Sequence, residues 1–280
     1  MTDNNDKYIL ITGCSSGIGL CIARGLRDRG YRVIATARKP EDVAMLSQEG
    51  FTACHLDLDN QDSITNAMSQ VVQITDGKLF ALFNNGAYGQ PGAVEDIPTE
   101  VLRQQFETNL FGWHELTRQV IPIMRQQGEG RIIQNSSILG FISLSFRGAY
   151  IASKYALEGL SDTLRLELYG SGIHISLIEP GPIESSFREN SYQKWKQTIA
   201  GNRSVHQNTY RRLESRLAME GNTTAYTLPP EAVLKRVIHA LESPRPKPRY
   251  FVTFPTYLFA VLKRLLPVRL LDSALRKISS

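Results

Sequence analysis

Apolar residues along this chain fall into short unbroken runs, separated by stretches in which they recur every three or four positions. The runs cover residues 7–12, 31–37, 51–56, 79–83, 131–134 and 174–178. Runs this short, mainly apolar and without strict alternation, belong to strands buried on both faces, as in a parallel sheet. Helical spacing fills the intervals. Ile18, Cys21, Ile22 and Leu26 share one face of a segment that stops at Gly30, and Ile64, Met68, Val71 and Val72 share one face of 61–75. Further helices are expected over 40–49, over 99–127 with a break near Gly112 or Pro122, and over 148–169. Strand alternating with helix predicts an α/β fold: a single-domain, doubly wound parallel sheet with helices on both faces.

In such sheets ligands bind beyond the carboxyl ends of the strands. Gly13, Arg38, Asp57, Asn84, Ser137 and Pro180 stand at those ends here. The polar, helix-prone segment 187–227 does not continue the alternation and reads as an insertion over the strand ends, a lid or substrate loop. Residues 1–250 are therefore expected to form the domain, and 251–280 an apolar, basic tail.

Composition narrows the classes. The apolar fraction of 42% suffices for a large core, and the 21% charged fraction is ordinary for a soluble chain. No apolar run approaches the ~20 residues of a spanning helix, and the N-terminus resembles no targeting peptide. Cys14, Cys21 and Cys54 lack disulfide or metal spacing, which suits a reducing cytoplasm. The five histidines are scattered, so no metal site is expected. From Ser243 onward eight basic residues face one acid, Asp272, while the rest of the chain is slightly acidic. That distribution excludes a nucleic-acid binder and concentrates positive charge in the tail. Such a tail can fold back over the substrate pocket, cover a subunit interface or lie on an anionic membrane surface.

Three motifs carry chemistry. Gly13-Cys-Ser-Ser-Gly17-Ile-Gly19, between a strand and an amphipathic helix, suits a turn that faces a diphosphate. After the second strand comes Arg38-Lys39 with no acid until Glu41; an arginine fork matches a ribose 2′-phosphate, so NADP(H) is expected over NAD(H). Tyr150 and Lys154 lie four residues apart, one helical turn, where a lysine can lower a phenol pKa from its usual ~10. Gly13-x-Ser15-x-Gly17 also matches a hydrolase nucleophile elbow, but it follows the first strand and lacks a downstream Asp…His pair.

Taken together, the segment from Thr12 to Gly19, Asp57, Asn84-Asn85, Asn109, Ser137, Tyr150-x-x-x-Lys154 and Pro180-Gly181 resembles the short-chain dehydrogenase/reductase family, over about residues 8–186. The wider pattern is similar to bacterial NADP-dependent aldehyde reductases and, more distantly, to retinol and 17β-hydroxysteroid dehydrogenases. The resemblance implies a Rossmann-like fold and a role for each residue. Gly13, Ser15, Gly17, Ile18 and Gly19 would line the diphosphate site, and Arg38 would meet the 2′-phosphate. Asp57 and Leu58 would border the adenine, and Asn84 would lie beneath the cofactor ribose. Asn109 would hold a proton-relay water. Ser137, thirteen residues before Tyr150, would orient the carbonyl in preference to Ser136. Tyr150 would be the acid, and Lys154 would bind the nicotinamide ribose and lower the tyrosine pKa. Pro180, Gly181, Ile183 and Ser185 would flank the nicotinamide, with Ser185 where the family usually has threonine.

One departure stands out: the family writes Asn-Asn-Ala-Gly where this chain has Asn84-Asn85-Gly86-Ala87. Gly86 keeps its expected cofactor-binding role, but its backbone dihedrals can differ. The expected activity is NADPH-dependent reduction of an apolar aldehyde, with a retinoid or hydroxysteroid as the alternative. The pocket wall is expected to run from 139–146 through Tyr192 and Trp195 to the tail. A non-catalytic NADPH sensor is the competing class, and the intact proton relay argues against it. Small residues Ala156, Gly159 and Thr163 beside a leucine face predict a helix buried twice, hence a homodimer or tetramer.

Overall fold

Seven strands lie side by side, all parallel, in the order β3-β2-β1-β4-β5-β6-β7. The computed structural model describes residues 4–201, 203–219, 221 and 224–279. In chain order the first half comprises β1 (Tyr8–Ile11), α1 (Gly17–Arg27), β2 (Arg32–Ala37), α2 (Pro40–Gln48), β3 (Thr52–His55), α3 (Gln61–Thr75), β4 (Ala81–Asn84) and α4 (Thr99–Phe106). Then come a π-helical turn (Glu107–Phe111), α5 (Gly112–Gln127), β5 (Gly130–Asn135), α6 (Gly148–Glu167) and β6 (Ile173–Glu179). The chain closes with α7 (Phe187–Thr198), α8 (Gln207–Ala218), α9 (Glu231–Glu242), β7 (Arg249–Phe251), α10 (Phe254–Leu265) and α11 (Val268–Ser279).

The unbroken apolar runs have a direct cause. Successive strand residues point to opposite faces, and each face carries its own core. Ile9 and Ile11 pack under α1 and α9 with Val33 and Phe83. Leu10 packs on the other side with Ile34, Leu82 and Ile132, against α3 and α5. Fully burying each such side chain contributes about 1.5–3 kcal/mol. The strand order reverses direction at β1 and β4, so their carboxyl ends open the crevice in which doubly wound sheets bind ligands.

The helix expected to break near Gly112 or Pro122 is distorted immediately before Gly112, at the π-helical turn. Pro122 sits inside α5 without ending it. Gly112 marks a close approach: a Cβ there would lie 2.0 Å from the Leu58 carbonyl oxygen. Two elements have no counterpart in the sequence reading. Helix α9 follows Pro229-Pro230 and buries Val233, Val237, Ala240 and Leu241 at helical spacing. Strand β7 has three residues, directly after a proline-rich stretch.

The segment 187–227 forms α7 and α8, and an isolated bridge between Ile183 and Leu228 closes its base. The tail divides at Pro267 into α10 and α11, which fold back onto the body and bury Phe259 and Leu275. Among the described residues no helix is long and apolar enough to cross a membrane.

Candidate active site

The glycine turn after β1 is shaped by close backbone contacts. Gly13 and Gly17 have φ of 70° and 55°, the left-handed region that favours glycine. A Cβ on Gly13 would lie 2.6 Å from the Gly86 Cα, and one on Gly19 would lie 2.1 Å from the Gly13 carbonyl oxygen. Gly17 faces the loop after β6, where its Cβ would approach the Ser185 Cβ to 2.9 Å. This cradle, bare of side chains and followed by the N-terminus of α1, fits a diphosphate. Ser15 and Ile18 are half-buried in the same turn, and Ile18 packs on the core.

The turn is tied to β4 by Asn85, to which sequence reasoning gave no role. Its side-chain amide donates to the carbonyls of Thr12 (3.0 Å) and Gly13 (3.1 Å). The Thr12 hydroxyl accepts in return from the backbone N–H groups of Asn85 (2.8 Å) and Gly86 (2.9 Å). Asn84, the neighbour assigned beneath the cofactor ribose, is fully buried and donates to Thr117 (3.1 Å) and Gln134 (3.0 Å). Gly86 has no positive φ, so the exchanged Gly-Ala order does not rest on glycine's left-handed freedom. Its carbonyl accepts from the buried Trp113 indole at 2.8 Å.

Of the residues expected near the adenosine, Arg38 is exposed at the end of β2. Asp57 is half-buried, and its carboxylate accepts from the Asp59 backbone N–H at 3.2 Å. Leu58 is buried beside Gly86. Of those expected to flank the nicotinamide, Pro180 is buried and its carbonyl accepts from the Ile138 N–H at 2.8 Å, which joins the end of β6 to the loop carrying Ser137. Gly181 packs under Thr253 of the tail, Ile183 is half-buried and Ser185 is exposed.

Ser137, Tyr150 and Lys154 converge where β5 meets α6. Tyr150 is buried, with Ser137 near enough to pull its phenol pKa down. Ser136 points elsewhere and donates to Glu158, which leaves Ser137 as the serine beside the tyrosine. Lys154, 1% exposed, donates to the Asn135 carbonyl at 2.8 Å and stands 4.1 Å over the Trp113 ring. Asn109, brought inward by the π-helical turn, donates to the Tyr88 carbonyl (2.9 Å) and to the Ser153 hydroxyl (3.2 Å).

The electrostatics differ from the sequence expectation. Burial pushes the Tyr150 phenol up to about 12, and only the Ser137 hydrogen bond and the Arg147 charge pull it down. Burial brings Lys154 down to about 7, opposed by Glu158. Lys154 therefore does not lower the tyrosine pKa in this arrangement: its ammonium turns to Asn135, 5.8 Å from the Tyr150 ring centroid. Behind it lies a charged cluster that the sequence did not reveal. Arg249 of β7 binds Asp162 (2.8 Å), Glu158 (3.0 Å) and Glu179 (3.0 Å).

The pocket wall also needs correction. Trp195 and Tyr192 join a separate cluster with Ala93, Ile199 and Tyr210 at the base of the lid. The wall at Tyr150 consists of Leu139, Ile142 and Ile151, closed by Phe259 and Leu275 of the tail. Phe187 of the lid stacks edge-on to Tyr150 at 5.2 Å.

The sequence pattern of the family described as short chain dehydrogenase matches residues 7–196. The chain belongs to that family. It is 45% identical over 270 residues to the Escherichia coli oxidoreductase YbbO, covering 96% of this chain and 94% of the relative. It is 30% identical to an NADPH-dependent 3-dehydrocapnine reductase of Ornithobacterium rhinotracheale, covering 97% and 96%. Among solved structures, a short-chain dehydrogenase from Streptomyces avermitilis superposes with a TM-score of 0.75 at 26% identity, over 95% of this chain and 96% of that one. The chain is thus an oxidoreductase of this family, with a Rossmann-like sheet for a nicotinamide dinucleotide.

Proposed function

We propose that this oxidoreductase uses NADPH to reduce the carbonyl of an aldehyde or ketone with an apolar body. The observation that carries the reading is the burial of Tyr150 in an apolar recess, with Lys154 held one helical turn away. Gly13, Ser15, Gly17, Ile18 and Gly19 would hold the cofactor diphosphate. Asp57, Leu58 and Gly86 would border the adenosine side, and Pro180, Gly181, Ile183 and Ser185 the nicotinamide. Asn84 would act from below, through Thr117 and Gln134. Arg38, at the end of a strand after which no acid comes until Glu41, supports NADPH over NADH, and the relative named as NADPH-dependent points the same way.

When bound, the cofactor supplies the hydride that adds to the carbonyl carbon. The protein residues handle the oxygen. Ser137 and Tyr150 orient it by hydrogen bonds, and Tyr150 O–H gives its proton to the alkoxide oxygen as the alcohol forms. A phenol held near 12 stays protonated at neutral pH and suits this acid role. Lys154 and a water held at Asn109 return the proton from solvent, and the tail and lid exclude bulk water from the apolar wall.

The test is NADPH oxidation with a panel of aldehydes, ketones and steroids. Tyr150→Phe should lose at least ~100-fold in rate, the scale of a lost proton donor. Equal activity of that variant would sink the mechanism, and no turnover with any member would favour a sensor. A homodimer or tetramer is proposed through the outer face of α6. There Ala156, Gly159, Leu160 and Thr163 line a shallow groove with Phe111 and His114, and a monomer by light scattering would refute it. We place the protein in the cytoplasm, with the basic tail as a route to peripheral membrane contact that liposome flotation would test.

A further inference from the structure

Arg249 of β7 meets three carboxylates, whereas Arg24, Arg29 and Arg118 each fork onto a single one. Its Nη2 donates to Glu158 Oε2 at 3.0 Å, and its two terminal nitrogens fork onto Asp162 at 3.1 and 2.8 Å. Its Nε stands 3.0 Å from Glu179 Oε1. Glu158 and Glu179 are buried. Desolvation offsets most of the attraction within a buried ion pair, so net stability is a weak reason for such a cluster. Its place in the fold supplies another.

The contacts close a ring around Ser137. Glu158 lies on α6 one turn beyond Lys154. Its Oε1 accepts from the hydroxyl of Ser136, the residue next to Ser137, and its Oε2 accepts from Arg249. From Arg249 the ring passes to Glu179, the last residue of β6, and along the chain to Pro180. The Pro180 carbonyl accepts from the Ile138 N–H at 2.8 Å, which leads back to Ser137 from its other side. Ser137 thus stands between two anchored neighbours. The turn Ile138–Gly140 rests on the same carboxylate: a Cβ at Gly140 would lie 2.7 Å from Ser136 Oγ and 3.0 Å from Glu158 Oε1. Within that turn the Ser137 hydroxyl accepts from the Leu139 N–H at 3.1 Å, which fixes its direction. Ser136 and Arg249 both favour the ionised Glu158 carboxylate, against a burial that raises its pKa.

From this ring we infer that Glu158 and Arg249 are positioning residues for the reduction: they hold the Ser137 turn and the end of β6 in place against the helix that carries Tyr150 and Lys154. The inference rests on the reductase reading above and adds residues that act through Ser136 and Pro180 rather than on the substrate. In that reading Ser137 and Tyr150 meet one carbonyl oxygen, the first from a turn and the second from a helix. A shift of about 1 Å between such groups costs on the order of 100-fold in rate. Glu158 is the joint between them, because α6 carries both Glu158 and Tyr150 while Ser136 leads into the turn. One side chain that serves Glu158 and Glu179 together needs the planar fork of arginine, which lysine lacks.

The experiment uses full-length enzyme at saturating NADPH and saturating carbonyl, with the compound best reduced in the panel above. Ser136→Ala cuts the ring at one joint and Arg249→Lys at another, and neither changes the charge of the cluster. Ser136→Ala should lower kcat about 3- to 10-fold, the scale of a neutral hydrogen bond, and Arg249→Lys about 10- to 100-fold, the scale of a charged one. The NADPH Kd and the carbonyl KM should stay within about twofold of the parent, because the loss falls on the oriented complex. Since both changes open one ring, the double variant should lose no more than Arg249→Lys alone. Glu158→Gln should match Arg249→Lys, and it replaces that variant in the cycle if Arg249→Lys fails to fold. An unchanged kcat in the single variants overturns the inference, as does a double variant whose loss is the product of the single losses. A rise in NADPH Kd or carbonyl KM as large as the fall in kcat would mark general damage to the site and also overturn it. These outcomes leave the reductase reading intact, whereas a parent enzyme that reduces no carbonyl removes that reading and the positioning role with it.

Discussion

Lys154 donates to the carbonyl oxygen of Asn135 at 2.8 Å, and the Asn135 side-chain amide donates in turn to Asn85 at 2.9 Å. Since Asn85 holds the Thr12 and Gly13 carbonyls, a short relay of hydrogen bonds joins Lys154 of the proposed chemical site to the glycine turn proposed to hold the dinucleotide. The two half-sites are therefore built as one unit.

Asn85→Ala should loosen both halves at once. It removes two donors and one acceptor from half-buried partners, a loss on the order of 2 kcal/mol in stability. NADPH binding should weaken in parallel. Thermal denaturation and a fluorescence titration with NADPH check this, and a variant that keeps both values would show the relay to be dispensable.

Gly86→Ala should be mild and Gly13→Ala severe. At Gly86 the added Cβ meets Leu58 Cδ1 at 3.2 Å and the Gly13 N at 3.4 Å, without a positive φ to strain. At Gly13 it meets backbone at 2.6 Å in a left-handed conformation. We expect Gly86→Ala to stay within about 1 kcal/mol of the parent. Gly13→Ala should lose NADPH binding outright. Equal behaviour of the two variants in a binding titration would contradict the packing described for the turn.

Stability should depend on pH through Glu179. Burial beside Glu158 raises its carboxyl from 4.5 to about 8, with Arg249 opposing. The folded protein thus retains a proton that the unfolded chain has released. The associated stabilisation is full below pH 4.5 and is lost as pH rises towards 8. Lys154 acts in the opposite sense and higher up: its value falls from 10.5 to about 7, so stability rises with pH across that window. Between about pH 5 and 7 the Glu179 effect is the larger of these two. Melting temperatures of Glu179→Gln should therefore fall less over that interval than those of the parent. A parallel pair of curves would rule out Glu179 as the source.

Cofactor choice should follow Arg38. Replacing its exposed guanidinium with the carboxylate of Arg38→Asp removes the match to a 2′-phosphate and offers an acceptor for ribose hydroxyls. The ratio of kcat/KM for NADPH over NADH should drop at least ~10-fold, the scale of one charged hydrogen bond. An unaltered ratio would remove Arg38 from the specificity site.

Much of the fold was legible because a parallel sheet writes itself into unbroken apolar runs. Ile9, Leu10 and Ile11 are apolar in succession for the plain reason that both faces are covered. Strand β7 escaped because three residues after a string of prolines leave no such run. The Tyr150–Lys154 pair was legible from its helical spacing, and Ser137 only through the resemblance to the family. The partners of those residues were not: Asn135 acts through a backbone carbonyl, which every residue has. Trp113 looks like any core tryptophan, and Arg249 meets carboxylates scattered over α6 and β6. The fate of Trp195 was misjudged for a related reason, since an aromatic residue on a lid helix can face the pocket or its own hinge with the same sequence pattern.

The placement of Leu275 and Phe259 against Tyr150 has a bearing on how the molecule is made. The glycine turn is held from the end of β4, where Asn85 lies 73 residues from Thr12, whereas the wall around the tyrosine waits for helices much farther downstream. Contacts of such long sequence separation form late, after the loop-closure entropy has been met. The shelter around Tyr150 therefore closes only when the C-terminal helices have docked on the finished sheet, so the chain's last residues complete its chemical recess.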